Sequence, residues 1–361
     1  MRVFIWGNCY PRIGGIETFV AHLSAALADR AIATAIIGDG PVTSMISPRG
    51  IPSRMVPMLE PIRTMDPAGI LAAIRTIRQA IRDFGPDVIH YNTAGAEIML
   101  FDKVMQSLDI PVVATLHNNA LADVRAATLQ RLFDRCSAVT AVSDFVRTAV
   151  AGSAARTPGD ILLIANAIPA QAAPVTRPAN GHVLALGRMV SEKGFDTLVE
   201  AFALVRAGHR DARLTIAGNG PEREALRQRA IDLGIADAVA LPGWIEPAGV
   251  HKAMAGAAVV AMPSRWQEPF GLVALESGHA ARPCVATRVG GLPSIIVDDE
   301  TGRLVPPDQP HAMAAAISRL LAHPAEADAL GRNARQRMAS HFDFDRMIDL
   351  YVAAFARACP G

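Results

Sequence analysis

The chain has 361 residues, more than one ordinary hydrophobic core covers, so two domains are expected. Lys and Arg number 35 against 34 for Asp and Glu, a balance that gives neither a basic field for nucleic acid nor an acidic tail. The four cysteines are scattered without metal-ligand spacing, which predicts free thiols in a reducing compartment and argues against a zinc site. No uncharged run reaches membrane-spanning length and the chain opens on a strand-like segment, so a cytoplasmic protein is expected.

Short apolar segments alternate with longer amphipathic segments in the first half of the chain. In order they are VFIW, a helix over 16–29, AIATAII, a helix over 67–84, DVIHY, PVVATL, a helix near 122–134, AVTAV, a helix from Asp144 and ILLIA. This alternation predicts a mostly parallel sheet covered by helices on both faces, which forms a first domain over residues 1–168. Residues 169–180 are rich in Pro and Ala and lack periodicity, so they are predicted to be a linker.

The same alternation begins again after the linker. The segments are HVLALG, a helix over 194–207, ARLTIAG, a helix from Pro221, AVALPG, a helix near 247–255, AVVAMP, a helix after Gly271, PCVAT, and helices near 308–322 and 325–339. They predict a second α/β domain over residues 181–341, and residues 342–361 are predicted to form a helix that returns to the first domain. The cleft between two such domains is where a ligand is expected.

Glu268 and Glu276 bracket the segment EPFGLVALE, with seven residues between them. Gly271 can begin a helix there, and Glu276 then lies about a turn and a half inside it. The loop carboxylate, the unpaired N–H groups at the helix start and the helical carboxylate then face one small volume. Amides at a helix N-terminus attract phosphate, and carboxylates accept hydrogen bonds from hydroxyls. The segment therefore predicts a site for a phosphorylated sugar.

Arg188 and Lys193 follow the first predicted strand of the second domain, in GRMVSEKGFD, and Gly194 can begin the next helix. The ends of strands are where α/β proteins bind ligands. Lys193 is one of only three lysines in the chain, so a compact ammonium in this loop indicates a point-charge contact to phosphate. For Arg188, one of many arginines, an ordinary surface charge is an equal alternative.

Two positions in the first domain are candidates for ligand contacts. Gly14 and Gly15 precede a predicted helix and can bring backbone amides close to a ligand, although a tight turn alone also explains them. The dinucleotide fingerprint requires three glycines, and Cys9 occupies its second position, so an NAD site is disfavoured here. His117 follows a strand in ATLHNNA and is expected at the edge of the cleft, although a lone His is more often structural.

Together these motifs resemble the retaining glycosyltransferases of family 4, which have the GT-B architecture of two facing Rossmann-like domains with parallel sheets. The resemblance runs nearly from end to end. Its specific parts are the E-x7-E string and the R-x4-K pair of Arg188 and Lys193. Its supporting parts are GGIE, TLHN, AVSDFVR, AGNGP, LPGW, PSRWQ, GGLPSII and TGRLV.

The resemblance implies a role for each candidate residue. Arg188 and Lys193 would bind the donor diphosphate and stabilise the departing nucleotide in place of a divalent metal, so no metal or other cofactor is expected. Glu276 would hold the ribose hydroxyls, Glu268 would face the donor sugar, and His117 would reach that sugar from the first domain. Further donor contacts are expected from Gly14, Gly15 and the amides of Phe270, Gly271 and Leu272.

The implied reaction moves a hexose or N-acetylhexosamine from a nucleoside diphosphate, UDP in preference to GDP, to an acceptor hydroxyl. Retention in this family is generally described as a front-face displacement, in which the leaving phosphate oxygen takes the acceptor proton. The acceptor is a small molecule or a lipid-linked glycan, with residues 41–66 as its expected surface. A rim for peripheral membrane contact would consist of Arg49, Arg54, Arg63, Ile51, Met55, Met58 and Leu59, although such a mixture is more often an ordinary loop that packs its own apolar residues.

Other functions stay open at this point. A nucleotide-sugar epimerase or hydrolase on the same scaffold would turn over without an acceptor, and a non-catalytic binding module would bind a nucleotide sugar without turnover. Two carboxylates also suit a glycoside hydrolase, but such an enzyme has no use for phosphate-binding amides and cations. The chain departs from the family pattern at Asn118, Asn166 and Ser294, outside the E-x7-E string.

Overall fold

A computed structural model of the chain describes residues 1–7, 14–39, 50–93, 97–118, 124–154, 156–170 and 181–359. The chain divides into two compact units. Unit 1 contains Met1–Ile168 and Phe344–Gly361, and unit 2 contains Pro169–Asp343. Most of the predicted linker, residues 171–180, lies outside the described residues.

Unit 1 contains a seven-stranded parallel sheet. Its strands are β1 (Arg2–Trp6), β2 (Ala33–Gly38), β3 (Ser53–Met55), β4 (Val88–Thr93), β5 (Val112–Leu116), β6 (Ala138–Ala141) and β7 (Leu162–Leu163). Its helices before the linker are α1 (Gly15–Asp29), α2 (Leu59–Arg63), α3 (Pro67–Phe84), α4 (Ile98–Met105), α5 (Ala126–Arg135) and α6 (Asp144–Ser153). The strand order β3-β2-β1-β4-β5-β6-β7 means that the winding direction reverses between β1 and β4.

The core of unit 1 lies against a sheet whose central strands are apolar on both faces. VFIW and PVVATL supply the near-continuous apolar runs that a parallel sheet buried on both faces requires. The ring of Trp6 on β1 is fully buried and meets the Phe101 ring of α4 edge-on, with 5.5 Å between centroids. Such large aromatic contacts contribute much of the burial that stabilises the unit.

Unit 2 contains a six-stranded parallel sheet in the order β10-β9-β8-β11-β12-β13. Its strands are β8 (His182–Leu186), β9 (Arg213–Ala217), β10 (Val239–Gly243), β11 (Val259–Met262), β12 (Cys284–Thr287) and β13 (Gly302–Val305). Its helices are α7 (Phe195–Gly208), α8 (Arg223–Asp232), α9 (Pro247–Gly256), α10 (Leu272–His279), α11 (Leu292–Ile295), α12 (Pro310–Ala322) and α13 (Pro324–His341). The predicted pair of Rossmann-like domains with parallel sheets is therefore confirmed.

The last helix, α14 (Phe344–Ala358), packs within unit 1. Tyr351 and Phe355 on this helix are fully buried, and the Tyr351 ring lies 5.4 Å from the Phe19 ring of α1. Arg30 lies 3.2 Å from each of Asp345 and Asp349, which fixes the start of α14 against the end of α1. The C-terminal segment thus completes the hydrophobic core of the unit that the N-terminus begins.

Short elements and helix starts are where the structure differs from the sequence patterns. β3, α2, α4, α11 and β13 were not predicted, because three to eight residues are too few to show a clear period. The helix predicted near 122–134 spans Ala126–Arg135, and the helix predicted from Pro221 begins at Arg223. Within the described ranges, no helix combines the length and the apolar character needed to cross a membrane.

Candidate functional site

The loops after β8 and β11 bring the predicted cations and Glu268 to one edge of the unit 2 sheet. The two strands pair in parallel, so both loops leave from the same edge. The first loop carries Arg188 and Lys193, and the second carries Glu268. The winding direction of the sheet reverses between these strands, and open α/β sheets bind ligands at such a switch point.

Glu268 lies at the buried centre of this site and is 5% exposed. Its Oε1 accepts hydrogen bonds from Lys193 Nζ at 2.5 Å and from Ser264 Oγ at 2.5 Å. The ammonium compensates the charge of a carboxylate that burial would otherwise penalise. Lys193 is therefore one half of an ion pair in this structure, and its contact with phosphate stays a prediction.

Arg265 clamps the two loops together. Its guanidinium lies 3.0 Å from Asp196 at the start of α7 and 2.8 Å from Asp308. Its backbone N–H donates to the carbonyl oxygen of Glu192, the residue before Lys193, at 3.0 Å. These contacts fix the separation of the two loops, so Arg265 positions the ion pair without belonging to it. This arginine was not predicted from the sequence, where its only signal is its place in PSRWQEPFG.

Gly194 allows the Lys193 loop to approach the Glu268 loop. Its φ is +64°, in the left-handed region, and a Cβ at this position would overlap the carbonyl oxygen of Pro263. Only glycine accepts both conditions without strain. This close approach is the geometric basis of the short distance between Lys193 and Glu268.

Gly194→Ala is therefore expected to lower the free energy of unfolding by about 2–3 kcal/mol, because it adds left-handed strain to a backbone overlap. The matched control is Gly208→Ala at the other end of α7, where a Cβ would meet nothing within 4 Å and Ala favours the helix by about 1 kcal/mol. Urea unfolding of both variants measures the difference. Equal stabilities would show that the two loops are not held by this contact.

The start of α10 presents unpaired backbone donors. Gly271, the N-cap residue, has φ 122°, and a Cβ there would lie 2.5 Å from Leu292 Cδ2. The N–H groups of Phe270, Gly271 and Leu272 have no hydrogen-bond acceptor within the part of the chain that the structure describes. The Phe270 ring is buried 5.9 Å from the Phe342 ring, which anchors the turn. Unpaired amides at a helix start attract anions.

Glu276 lies on α10, in the turn after these amides, and is half-buried. Desolvation by burial raises the pKa of its carboxyl group from 4.5 to about 7. Among the described residues its side chain has no hydrogen-bond or ion-pair partner. A desolvated carboxyl group without donors is costly, and the hydroxyls of a ligand would supply those donors.

Arg188 provides the available cation of the site. Its side chain is exposed and makes no hydrogen bond or ion pair with any residue that the structure describes. The backbone beside it is fixed, because the Met189 N–H donates to the Asn219 carbonyl oxygen at 2.9 Å. An arginine on a fixed loop, with its five N–H donors unused, is suited to binding a phosphate.

His117 follows β5 in unit 1 and is buried, with 7% exposed. Its Nε2 lies 2.9 Å from Oδ1 of Asn92, and the Phe19 ring meets it edge-on with 4.9 Å between centroids. Burial lowers the pKa of His117 to about 3, so the imidazole is neutral at neutral pH. Asn92 was not predicted from the sequence, where its signal is a polar side chain near the end of the apolar strand β4.

Gly14 and Gly15 lie at the start of α1. The Gly14 N–H donates to Oε2 of Glu17 at 2.8 Å, so this amide is engaged by its own helix. Glu17 is buried at this turn. The contact of Gly14 and Gly15 with a donor stays a prediction, and in this structure Gly14 serves the start of the helix.

The predicted acceptor rim is divided between core and surface. Ile51 and Met58 are 7% and 1% exposed and pack inside unit 1, so they do not belong to a lipid-facing rim, and the alternative of a loop that packs its own apolar residues holds for them. Met55 is 55% exposed, Arg54 is exposed, and Arg63 is paired with Glu60 at 2.5 Å. Arg49 lies outside the described residues.

Among the described residues there is no group of three or more His, Cys, Asp or Glu side chains that could hold a metal ion. The cysteines that the structure describes, Cys136, Cys284 and Cys359, are free thiols. Independence of a metal stays a prediction.

Family models and known proteins match almost the whole chain. The model for "Glycosyltransferase Family 4" matches residues 13–172, and the model for "Glycosyl transferases group 1" matches residues 174–337. The chain is 29% identical to the glycogen synthase of Mycobacterium tuberculosis over 398 aligned positions, which cover 98% of this chain and 95% of that protein. It is 38% identical over 157 residues, 41% of each protein, to the GDP-mannose-dependent alpha-(1-6)-phosphatidylinositol monomannoside mannosyltransferase of Mycolicibacterium smegmatis.

Solved structures share the fold at lower identity. The sucrose-phosphate synthase of Thermosynechococcus elongatus has a TM-score of 0.83 at 22% identity, covering 98% of this chain and 99% of that one. The Anabaena HepE protein in complex with UDP and glucose has a TM-score of 0.82 at 18% identity, covering 99% of both chains. These similarities extend through both units.

Proposed function

The chain is a GT-B glycosyltransferase of the family 4 type, and from this premise we propose that it transfers a hexose or N-acetylhexosamine from a UDP-sugar to an acceptor hydroxyl with retention of configuration. One observation carries the proposal. The switch point of the unit 2 sheet combines the Lys193–Glu268 pair with the guanidinium of Arg188 and the amides at the start of α10, which have no hydrogen-bond partners among the residues that the structure describes. This combination suits a diphosphate attached to a sugar.

The diphosphate is proposed to bind between Arg188 and the start of α10. Arg188 supplies a bidentate donor, and the α10 amides supply fixed dipoles that need no reorganisation when charge develops. Lys193 adds a second positive charge while it stays within reach of Glu268. Two cations and a helix terminus then replace the divalent metal that other nucleotide-sugar sites use.

The nucleoside is proposed to extend along α10. Glu276 lies beyond the amides, so its desolvated carboxyl group is placed to receive the two ribose hydroxyls. A hydroxyl pair gives the carboxylate the donors that it lacks among the described residues. UDP is proposed in preference to GDP. The HepE structure contains UDP, whereas the mycolicibacterial relative is GDP-mannose-dependent. Binding of GDP is therefore compared with binding of UDP in the thermal-midpoint experiment below.

The proposed chemical step is a displacement on one face of the sugar. The bond between the anomeric carbon and the β-phosphate oxygen breaks, and the acceptor oxygen bonds to the same face of that carbon. The acceptor proton passes to the departing phosphate oxygen. Glu268 is proposed to orient sugar hydroxyls rather than to attack the anomeric carbon, because the one-face displacement needs no protein nucleophile. The bonds that its Oε1 accepts from Lys193 and Ser264 hold the carboxylate in place for this role.

Unit 1 is proposed to supply the acceptor side and the contact of His117 with the donor sugar. The acceptor hydroxyl belongs to a small molecule or a lipid-linked glycan, and the exposed part of the predicted rim around Arg54 and Met55 would meet it or a membrane surface. The cytoplasm is the proposed location, and metal independence is part of the proposal.

Saturating UDP is expected to raise the thermal midpoint of the purified protein by roughly 5 °C or more, since ligand at about 100 times its Kd stabilises the native state by ~2.7 kcal/mol. GDP, ADP, dTDP and NAD are measured in parallel. Arg188→Ala is the matched variant, and its midpoint with UDP is expected to stay near its value without UDP. A rise with NAD alone would overturn the proposal.

Turnover separates the remaining alternatives. Transfer to an acceptor with the anomeric configuration of the donor supports the proposal, and an inverted product contradicts retention. Consumption of the donor without any acceptor would indicate an epimerase or a hydrolase. UDP binding without turnover over a broad acceptor panel would indicate a binding module.

A further inference from the structure

A chain of hydrogen bonds links three adjacent strands of unit 1 at their carboxyl ends. Asn92 on β4 is fully buried, and its Nδ2 donates to the carbonyl oxygen of Trp6 on β1 at 3.3 Å. Its Oδ1 lies 2.9 Å from Nε2 of His117, which follows β5. β1, β4 and β5 are neighbours in the sheet. The side chain of His117 is thus connected to the backbone of the sheet through one amide.

This chain fixes the proton on His117. A carbonyl oxygen only accepts, so the Trp6 carbonyl requires the NH2 group of Asn92 on its side. The amide oxygen of Asn92 then faces His117, and it too only accepts. A neutral imidazole in this position must carry its proton on Nε2, which leaves the lone pair on Nδ1.

His90 shows that burial alone does not produce this arrangement. It is fully buried on β4, and its Nε2 lies 2.7 Å from Oγ1 of Thr115. A hydroxyl both donates and accepts, so Thr115 does not select a tautomer. Nδ1 of His90 is enclosed without a partner among the described residues, whereas His117 keeps 7% of its surface exposed. Of these two histidines, only His117 is both oriented by an amide and partly exposed.

We propose that Asn92 is a positioning residue that holds His117 as the neutral Nε2–H tautomer, so that Nδ1 accepts a hydrogen bond from a hydroxyl of the donor sugar. This inference rests on the proposed function, since it takes His117 as a contact of that sugar. The Phe19 ring packed edge-on against the imidazole opposes rotation of the ring. Asn92 therefore acts through His117 and not on the substrate directly.

The groups around His117 are consistent with a neutral ring. His90 is the titratable group on the neighbouring strand, and burial, followed by the nearby His117, lowers its pKa to about 3. On α1, the residue that contacts the imidazole is the uncharged Phe19, and the carboxylate of Glu17 is engaged by the Gly14 N–H. Asn92 itself carries no charge, so it orients the imidazole without favouring the imidazolium.

Asn92→Asp tests the proposal. The carboxylate keeps an acceptor for Nε2–H but stabilises the imidazolium, which has no lone pair on Nδ1. Selective ¹⁵N labelling of histidine, with His117→Gln to assign the signals, reports the tautomer and the titration directly. The wild type is expected to show His117 as Nε2–H without titration above about pH 5, and the variant is expected to titrate near or above the ordinary pKa of about 6.5.

Activity provides a second measurement. The ratio of kcat/KM for Asn92→Asp to that of the wild type is expected to fall about tenfold per pH unit below the new pKa of His117. Thr115→Val is the matched control, because it removes the hydrogen bond of the other buried histidine in the same sheet. The ratio of kcat/KM for Thr115→Val to kcat/KM for the wild type is expected to be independent of pH.

An Nδ1–H signal for His117 in the wild type would overturn the proposal, and this measurement needs no variant to fold. An unchanged titration or an unchanged pH profile in Asn92→Asp would overturn it as well. A wild-type protein that shows the Nε2–H signal but transfers no sugar would contradict the proposed function, and with it the contact of His117 with the sugar. The NMR signal separates this outcome from a failure of the proposed tautomer.

Discussion

Replacing Lys193 by Ala, or Glu268 by Ala, is expected to lower kcat for sugar transfer by a factor on the order of 10²–10³. Lys193 is proposed to stabilise the charge that develops on the departing diphosphate, and Glu268 to orient both the donor sugar and the ammonium. Their atoms lie 2.5 Å apart in a site where Glu268 is almost completely buried. Low solvent access increases the contribution of each charge.

The two losses are expected not to add. Removing Glu268 frees Lys193 from its fixed position, and removing Lys193 leaves a buried carboxylate without its cation, so each single change already disrupts the pair. Lys193→Ala/Glu268→Ala is therefore expected to retain roughly the kcat of the weaker single variant. Steady-state kinetics of the four proteins of this double-mutant cycle measure the coupling.

The controls for this cycle lie close by on the same unit. Glu192→Ala changes an exposed carboxylate directly before Lys193, and Lys252→Ala changes an exposed lysine on α9. Both are expected to keep kcat within about twofold of the wild type, because neither side chain enters the site. Full activity of Lys193→Ala or Glu268→Ala would show that the role proposed for that residue is wrong.

The alternation of apolar runs and amphipathic segments was sufficient to predict the fold, because each run is long enough to show its period. The predicted helix over 67–84 coincides with α3 (Pro67–Phe84), which has Asp66 as its N-cap and Gly85 as its C-cap. Segments without such signals were not predicted. The region 50–63 folds into β3 and α2, and its apolar residues Ile51 and Met58 turn inward, which no periodicity in so short a segment reveals.

In the candidate site, too, some features could be predicted from the sequence and others could not. Arg188, Lys193 and Glu268 could be predicted, because the end of a strand is a position that the sequence reveals. Their contacts could not, because the distance between two loops depends on side chains distant in sequence. Arg265 reaches Asp308 across 43 positions, and Asn92 reaches His117 across 25. Such pairs follow from the order and register of the strands in each sheet, which a single sequence does not specify.

Glu276→Gln is expected to stabilise the ligand-free protein above pH 7 and to weaken the binding of UDP about tenfold or more. Burial raises the pKa of Glu276 from 4.5 to about 7, so between these values the folded state holds a proton that the unfolded state has lost. Stability therefore falls as the pH rises through this window. At ~1.4 kcal/mol per pKa unit, reduced for partial exposure, the cost above pH 7 is about 1–3 kcal/mol. Glutamine carries no charge, so the variant avoids this free-energy cost.

The titration of Glu276 also predicts the direction in which UDP affinity changes with pH. Ribose hydroxyls that donate to the carboxylate favour its ionised form, so UDP binding near pH 7 is expected to release a proton, and affinity is expected to rise between about pH 6 and pH 8. Calorimetry in two buffers of different ionisation enthalpy measures this release. The terminal phosphate of UDP also titrates at about pH 6, so Glu276→Gln should reduce the release, whereas Glu224→Gln, at an exposed position on α8, should leave it unchanged. Proton uptake on binding would show that the nucleoside does not contact Glu276, because hydroxyls that donate to its carboxylate favour the ionised form and release a proton. Such a ligand also removes the free-energy cost of the desolvated carboxylate, and this gain contributes to its affinity.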